Sequence, residues 1–127
     1  MLEKEQIAIE GVVDHVAFES KDIRRDAREY EGLGFKVEAL YDDWALLRDG
    51  RGVGVALIPP GSKYPPHLAL RVESREALEN AAGRAHCTIR EHRDHSLSFH
   101  TEGVGGHAIQ VIYYPPQYMG KSRDAGP

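Results

Sequence analysis

Asp14-His15-Val16-Ala17-Phe18 and Pro66-His67-Leu68-Ala69-Leu70 are the two stretches on which the fold is read. In each, a histidine is followed two residues later by an alanine, with apolar residues between and after them. Side chains alternate across a strand, so histidine and alanine share one face and the apolar pair takes the other. The small alanine leaves space beside an imidazole, which a face turned to water does not require. Two strands built alike predict an internal repeat if the elements behind them also match.

They do match. Val12 to Phe18 reads as a strand and Lys21 to Leu33 as a helix, with Asp22 near its cap and Ile23, Ala27 and Tyr30 at helical spacing. Gly32 and Gly34 stop it. Strands follow at Phe35–Tyr41, Trp44–Arg48 and Val53–Ile58, with turns at Asp42-Asp43 and Asp49-Gly50. Residues 59–66 hold four prolines in eight positions and cannot continue a ladder, so they read as a linker. The order then restarts: a strand from His67 to Val72, a Ser74-capped helix through Ala85, and strands at Cys87–His92, Ser96–Thr101 and Ala108–Tyr113. Overlaying Asp14–Glu38 on Pro66–Arg90 needs no gap and pairs His15 with His67, Ala17 with Ala69, Asp22 with Ser74 and Val37 with Ile89. A two-residue insertion further on pairs Ala56 with Gln110.

Splitting every strand by face separates two rows. Val16, Phe18, Val37, Leu47, Val55, Leu57, Leu68, Leu70, Val72, Ile89, Leu97, Phe99, Ile109 and Val111 form an apolar row, expected to be the core beneath two helices. His15, Glu38, Trp44, Arg48, His67, Arg90, Ser96, Ser98, His100 and Gln110 fall on the other row, with Ala17, Ala56, Ala69 and Ala108 among them. The expected fold is α+β: two βαβββ units, about 12–58 and 67–114, with a polar tail at 117–127.

The 127 residues suffice for one domain, 1–127, with one core. The formal net charge of −4 comes from acids and bases mixed along the chain without a basic block, which argues against a nucleic acid or an anionic membrane surface as partner. No apolar run approaches a membrane span, and the charged start at Met1-Leu-Glu-Lys-Glu-Gln-Ile does not read as a signal peptide. A small-molecule partner and a cytoplasmic location are expected. Cys87 is the one cysteine, read as a buried thiol without a chemical role.

The two opening stretches, followed by Gly105-Gly106-His107-Ala108-Ile109-Gln110-Val111-Ile112 at the close, resemble the vicinal oxygen chelate superfamily of glyoxalases, bleomycin-resistance proteins and ring-cleaving dioxygenases. The resemblance covers about Val12 to Tyr114 and rests on the order of the three segments. It implies a glyoxalase-like domain whose two units curl into a cupped mixed sheet with helices outside. It further implies a divalent metal held by histidines of the two first strands, here His15 and His67, and by a side chain of the last strand, here Gln110. Gln110 stands where the family's strongest pattern has a carboxylate, and Ala56 occupies the matching place in the first unit. An amide oxygen suits a hard ion less well than a carboxylate, which leaves Fe, Ni, Zn or Mn as the expected metals.

His100 falls where ring-cleaving members place an acid–base side chain, and its ordinary pKa near neutrality suits proton transfer. The plainer reading is a solvent-facing histidine. Arg48 and Arg90, if both reach the cup, favour an anionic or oxygen-rich ligand, against a plain salt bridge with Glu38. Trp44 offers a stacking wall or a packing anchor. Ser98 completes the expected substrate-binding set. Two functions stand side by side. One is a metal-dependent lyase or dioxygenase that chelates vicinal oxygens of a small substrate. The other is a non-catalytic sequestering protein of the bleomycin-resistance kind. A homodimer is expected, because sheet edges need covering.

Overall fold

The computed structural model describes residues 11–118. Its strands are β1 (Val12–Glu19), β2 (Lys36–Tyr41), β3 (Trp44–Arg48), β4 (Gly54–Ile58), β5 (His67–Arg71), β6 (Arg90–Glu91), β7 (Leu97–Glu102) and β8 (Ala108–Tyr113). Helix α1 (Ile23–Gly32) follows β1 and α2 (Arg75–Ala85) follows β5. All eight strands join one curled sheet in the order β2-β3-β4-β1-β5-β8-β7-β6. That order reads the same from either edge once β5–β8 are exchanged for β1–β4, so the two βαβββ units are present and meet at β1 and β5. The tail expected at 117–127 lies almost wholly outside the described residues.

Local chemistry explains the helix ends. The Asp22 carboxylate accepts from the Arg25 amide, and the Ser74 hydroxyl accepts from the Ala77 amide, each satisfying a free donor of the first turn. Gly34, at φ +107°, turns the chain out of α1 while the Phe35 amide donates back to the Tyr30 carbonyl. The strand expected at Cys87–His92 shrinks to two paired residues. His86 ends α2 in a left-handed conformation, and Cys87 and Ile89 spend their side chains on the α2 core before pairing with β7 begins.

The helices lie on one face of the sheet, over two separate cores. Ile23 and Ala27 pack on Ala45, Leu47, Val55 and Leu57, while Leu78, Ala81 and Ala82 pack on Val72, Phe99 and Val111. Full burial of each large side chain stabilises by about 1.5–3 kcal/mol. Since α1 sits over β2–β4 and α2 over β7 and β8, the outer face of β1 between them is only partly covered. This corrects part of the expected core row: Phe18 stays 45% exposed and Val37, on edge strand β2, 37%. A further apolar cluster lies on the inner face of the first unit, formed by Ala17, Ala39, Leu46, Ala56 and Ile58 beside Trp44.

Candidate functional site

His15 and His67 come together because β1 and β5 pair antiparallel across the centre of the sheet. His15 lies opposite Ala69, and Ala17 lies opposite His67. The alanine of each stretch thus clears space for the histidine of the other, and the rings sit edge to face with centroids 5.4 Å apart. Parallel pairing of β1 with β4 sets Ala17 beside Ala56, and that of β5 with β8 sets Ala69 beside Gln110. Ala56 and Gln110 are therefore equivalent positions of the two units, as the overlay has them.

The inner face encloses a cavity of about 370 Å³ whose wall includes His15, Trp44, Ala56, His67, His92, His100 and Gln110. Leu46, Ile58 and Ile112 give it an apolar side. Part of the Pro-rich segment read as a linker also lines it, and Tyr64 from that segment stacks on His100 at 4.7 Å.

Each central histidine is held from behind. His15 Nδ1 lies 2.7 Å from the Asp14 carboxylate, and His67 Nδ1 lies 2.7 Å from the Pro65 carbonyl. Both partners only accept, so Nδ1 carries the proton in the neutral rings and Nε2 keeps its lone pair. A carboxylate behind a ligating imidazole fixes its orientation and raises its basicity. Asp14 was not among the expected site residues, since strict alternation puts it on the face opposite His15. A bulge between Val13 and His15 breaks that alternation.

Asp14 is fully buried and anchors a network. Tyr114 donates its hydroxyl to the carboxylate at 2.7 Å, and Arg48 and Arg71 approach at 3.2 and 3.4 Å. Burial alone would raise the Asp14 pKa. The His15 hydrogen bond and the Arg48 charge outweigh it and hold the group well below the usual carboxylate range. Arg48 also donates to Glu38 at 2.7 Å, so its guanidinium serves this network and does not line the cavity. Arg90 is exposed on edge strand β6 and does not reach the cavity either. The sequence expectation of two arginines in the cup is not met. Neither is Ser98 on the cavity wall: it is buried under Gln110, whose amide nitrogen donates to its hydroxyl at 2.9 Å. Trp44 does line the cavity, stacked on Tyr41 at 5.8 Å.

His100 lines the cavity with its Nε2 buried and without a hydrogen-bond partner, its ring 5.0 Å from that of His67. Burial, then the neighbouring His67, His92 and His15, pushes its pKa down to about 4. The near-neutral value expected from sequence is thereby corrected: at neutral pH the His100 ring is uncharged. Burial also lowers His67.

A metal has to find donors here. Among the described residues no group of three or more His, Cys, Asp or Glu side chains is placed to hold one. The candidate donors on the cavity wall are His15 and His67, each with Nε2 left free by the hydrogen bond at Nδ1, and Gln110, whose Oε1 is buried without a hydrogen-bond partner. Neutral imidazoles and an amide oxygen left with unshared lone pairs form a cation-seeking set, so these residues fit a divalent ion of the Fe, Ni, Zn or Mn kind.

The cupped sheet of two βαβββ units is a fold shared with solved dioxygenases, and the likeness is one of fold. The chain superimposes on 2,2',3-trihydroxybiphenyl 1,2-dioxygenase of Sphingomonas wittichii with a TM-score of 0.62 at 20% identity, covering 80% of this chain and 42% of that one. For homoprotocatechuate 2,3-dioxygenase of Arthrobacter globiformis the TM-score is 0.64 at 17% identity, covering 80% and 37%. This chain thus spans about two-fifths of the length of those enzymes. A Legionella pneumophila protein described as an NAD-dependent benzaldehyde dehydrogenase matches over 98% of its own length, with a TM-score of 0.53 at 14% identity. No family model and no curated protein matches the sequence. The likeness establishes the fold, and folds of this kind host more than one chemistry.

Proposed function

We propose that the chain is a metal-dependent enzyme of the dioxygenase or lyase kind that takes a small oxygen-rich substrate into the cup. The observation that carries this reading is the convergence of two Nδ1-anchored histidines and a buried, unpartnered amide oxygen on one cavity. His15, His67 and Gln110 would hold the ion, which when bound supplies Lewis-acid polarisation of substrate oxygens or a site for dioxygen. The chain's own residues do the rest. Asp14 and Pro65 keep the two imidazoles in the ligating tautomer. His100, uncharged, would accept a hydrogen bond from a substrate hydroxyl at Nε2, the atom left unpartnered. The Leu46, Ile58 and Trp44 wall excludes water from a planar apolar substrate body.

A second reading, sequestration without chemistry in the manner of bleomycin-resistance proteins, is favoured by the absence of a carboxylate at position 110 and by the apolar side of the cavity. Metal analysis of protein prepared without affinity tag or chelator, followed by reconstitution with Fe²⁺, Mn²⁺, Zn²⁺ and Ni²⁺, separates the two. The enzyme reading expects near-stoichiometric retention of one ion. A site that stays empty after all four favours sequestration. The proposal includes a homodimer, supported by the exposed Val12, Val13 and Phe18 on β1, and a cytoplasmic setting. Among the described residues no helix is long and apolar enough to cross a membrane. Both units of the cup come from one chain, so dimerisation is not needed to complete it.

A further inference from the structure

Gln110 poses a problem that its neighbours solve. A primary amide has two ends of nearly the same shape, one accepting and one donating. With the oxygen toward His67, Gln110 adds a lone pair to the cavity. With the nitrogen there, it would donate to the free Nε2 lone pair of His67 and quench that ligand as well. In the metal-free protein the second arrangement gains a hydrogen bond, whereas the first leaves a buried oxygen without a partner. The structure nevertheless has the first.

The cause lies behind the amide. Gln110 Nε2 donates to Ser98 Oγ at 2.9 Å, inside a fully buried pair, and Ser98 Oγ is in turn hydrogen-bonded to His92 Nε2. An amide nitrogen cannot accept, so the first bond uses one lone pair of the hydroxyl oxygen and leaves the Ser98 hydrogen available to His92. Burial lowers the His92 pKa and so favours the neutral ring, which accepts the Ser98 hydrogen at Nε2 when its own proton is on Nδ1. The bond from Gln110 to Ser98 is thus fixed in direction, and His92 holds the hydroxyl on its other side.

We infer that Ser98, backed by His92, is the positioning residue that holds the Gln110 oxygen toward His67 and its nitrogen away from it. Its consequence for metal binding rests on the function proposed above, while the orientation itself does not. Ser98 was expected from the sequence to touch substrate; its burial under Gln110 gives it this different task. Ser98→Ala removes the acceptor that holds the nitrogen back, and the amide turns to donate to His67. His92→Phe removes the far end of the relay and frees the Ser98 hydrogen to serve the Gln110 oxygen, which turns the amide the same way in a variant with an intact buried core.

The test combines NMR of the metal-free protein with Zn²⁺ titration calorimetry. In the wild type the Gln110 side-chain amide protons should show cross-relaxation to Ser98 and His92. In Ser98→Ala and His92→Phe they should show it to the His67 ring. Zn²⁺ affinity should fall about tenfold in Ser98→Ala, the equivalent of one hydrogen bond, and about threefold in His92→Phe. Glutamate has two equivalent oxygens, so in a Gln110→Glu background Ser98→Ala should change affinity less than twofold. Amide contacts unchanged by Ser98→Ala, or an equal loss of affinity in both backgrounds, would overturn the inference. A wild type with the expected contacts and no Zn²⁺ binding would support the orientation and overturn the metal reading instead.

Discussion

Asp14→Asn removes the one charge on which the base of the site is organised while keeping the shape of the side chain. The carboxylate is fully buried and faces His15, Tyr114, Arg48 and Arg71. Removing one partner of a buried ion pair typically costs about 3–5 kcal/mol, because the remaining charge is left without compensation. Here the loss is tempered. Arg48 keeps Glu38 at 2.7 Å, Arg71 is 40% exposed and turns to solvent, and the asparagine oxygen still accepts one hydrogen bond. The expected cost is therefore at the lower end, about 3 kcal/mol, and a lowering of Tm by about 10 °C for a chain of this size. Linkage gives a second signature. The Asp14 pKa is depressed in the folded state, so its stabilisation is complete above the unfolded value of about 3.9 and is lost as pH falls through the lower folded value. The variant should lack that acid-side loss. Because asparagine still accepts from His15 Nδ1, the tautomer survives, and Zn²⁺ affinity should fall about tenfold without being abolished. Urea denaturation at pH 7 and at pH 3 reads both effects. A destabilisation below about 1 kcal/mol at pH 7, the range of a neutral hydrogen bond, together with an unchanged pH dependence, would refute the reasoning.

Three further outcomes follow from the same geometry. Gln110→Glu adds a negative charge to a set of neutral donors, worth on the order of a few kcal/mol at reduced dielectric, so metal affinity should rise at least tenfold by calorimetry; unchanged affinity for Mn²⁺, Fe²⁺ and Zn²⁺ contradicts a metal at this position. His100 is depressed to about 4, so the unfolded chain takes up its proton near pH 6.5 while the folded chain resists. Stability of the metal-free protein should be full above pH 6.5 and fall toward pH 4 by about 2 kcal/mol after allowance for partial exposure, and His100→Asn should flatten that slope in urea titrations. Gly54→Ala places a methyl group 3.0 Å from both His15 Cβ and an Arg48 nitrogen, so it should cost about 1–3 kcal/mol of stability and weaken Zn²⁺ binding by displacing His15; neutrality in both assays would show that this close approach is not needed.

The repeat was legible because its signal is periodic: histidine and alanine at matching places, a cap residue at matching places, and turns between short apolar runs. Ladder pairing then placed Ala56 and Gln110 where a gapped overlay had put them, since parallel pairing of β4 and β8 with the first strands of their units carries the same register. Alternation failed where a bulge interrupts it, which hid Asp14 behind His15. It also carries no information about which strands are neighbours. Arg48, Ser98 and Gln110 share a row in the sequence, yet β3 carries Arg48 to the Asp14 network while the β7–β8 ladder buries Ser98 beneath Gln110. Tyr64 and His92 lie on segments read as a linker and the end of a strand, and the folded sheet brings both to the cavity. The His100 pKa depends on burial and on neighbours from β1, β5 and the segment before β7, of which His15 and His67 are distant in sequence.

The central claim is that His15 and His67 present paired Nε2 lone pairs to one ion, and nitrogen-15 spectra of the histidines during Zn²⁺ addition test it most directly. Both rings should carry their proton on Nδ1 before Zn²⁺ is added and keep it there afterwards, with both Nε2 resonances moving together to metal-bound positions at one equivalent. Either ring found with its proton on Nε2 in the metal-free protein, or Nε2 signals that stay in place at saturating Zn²⁺, would contradict it.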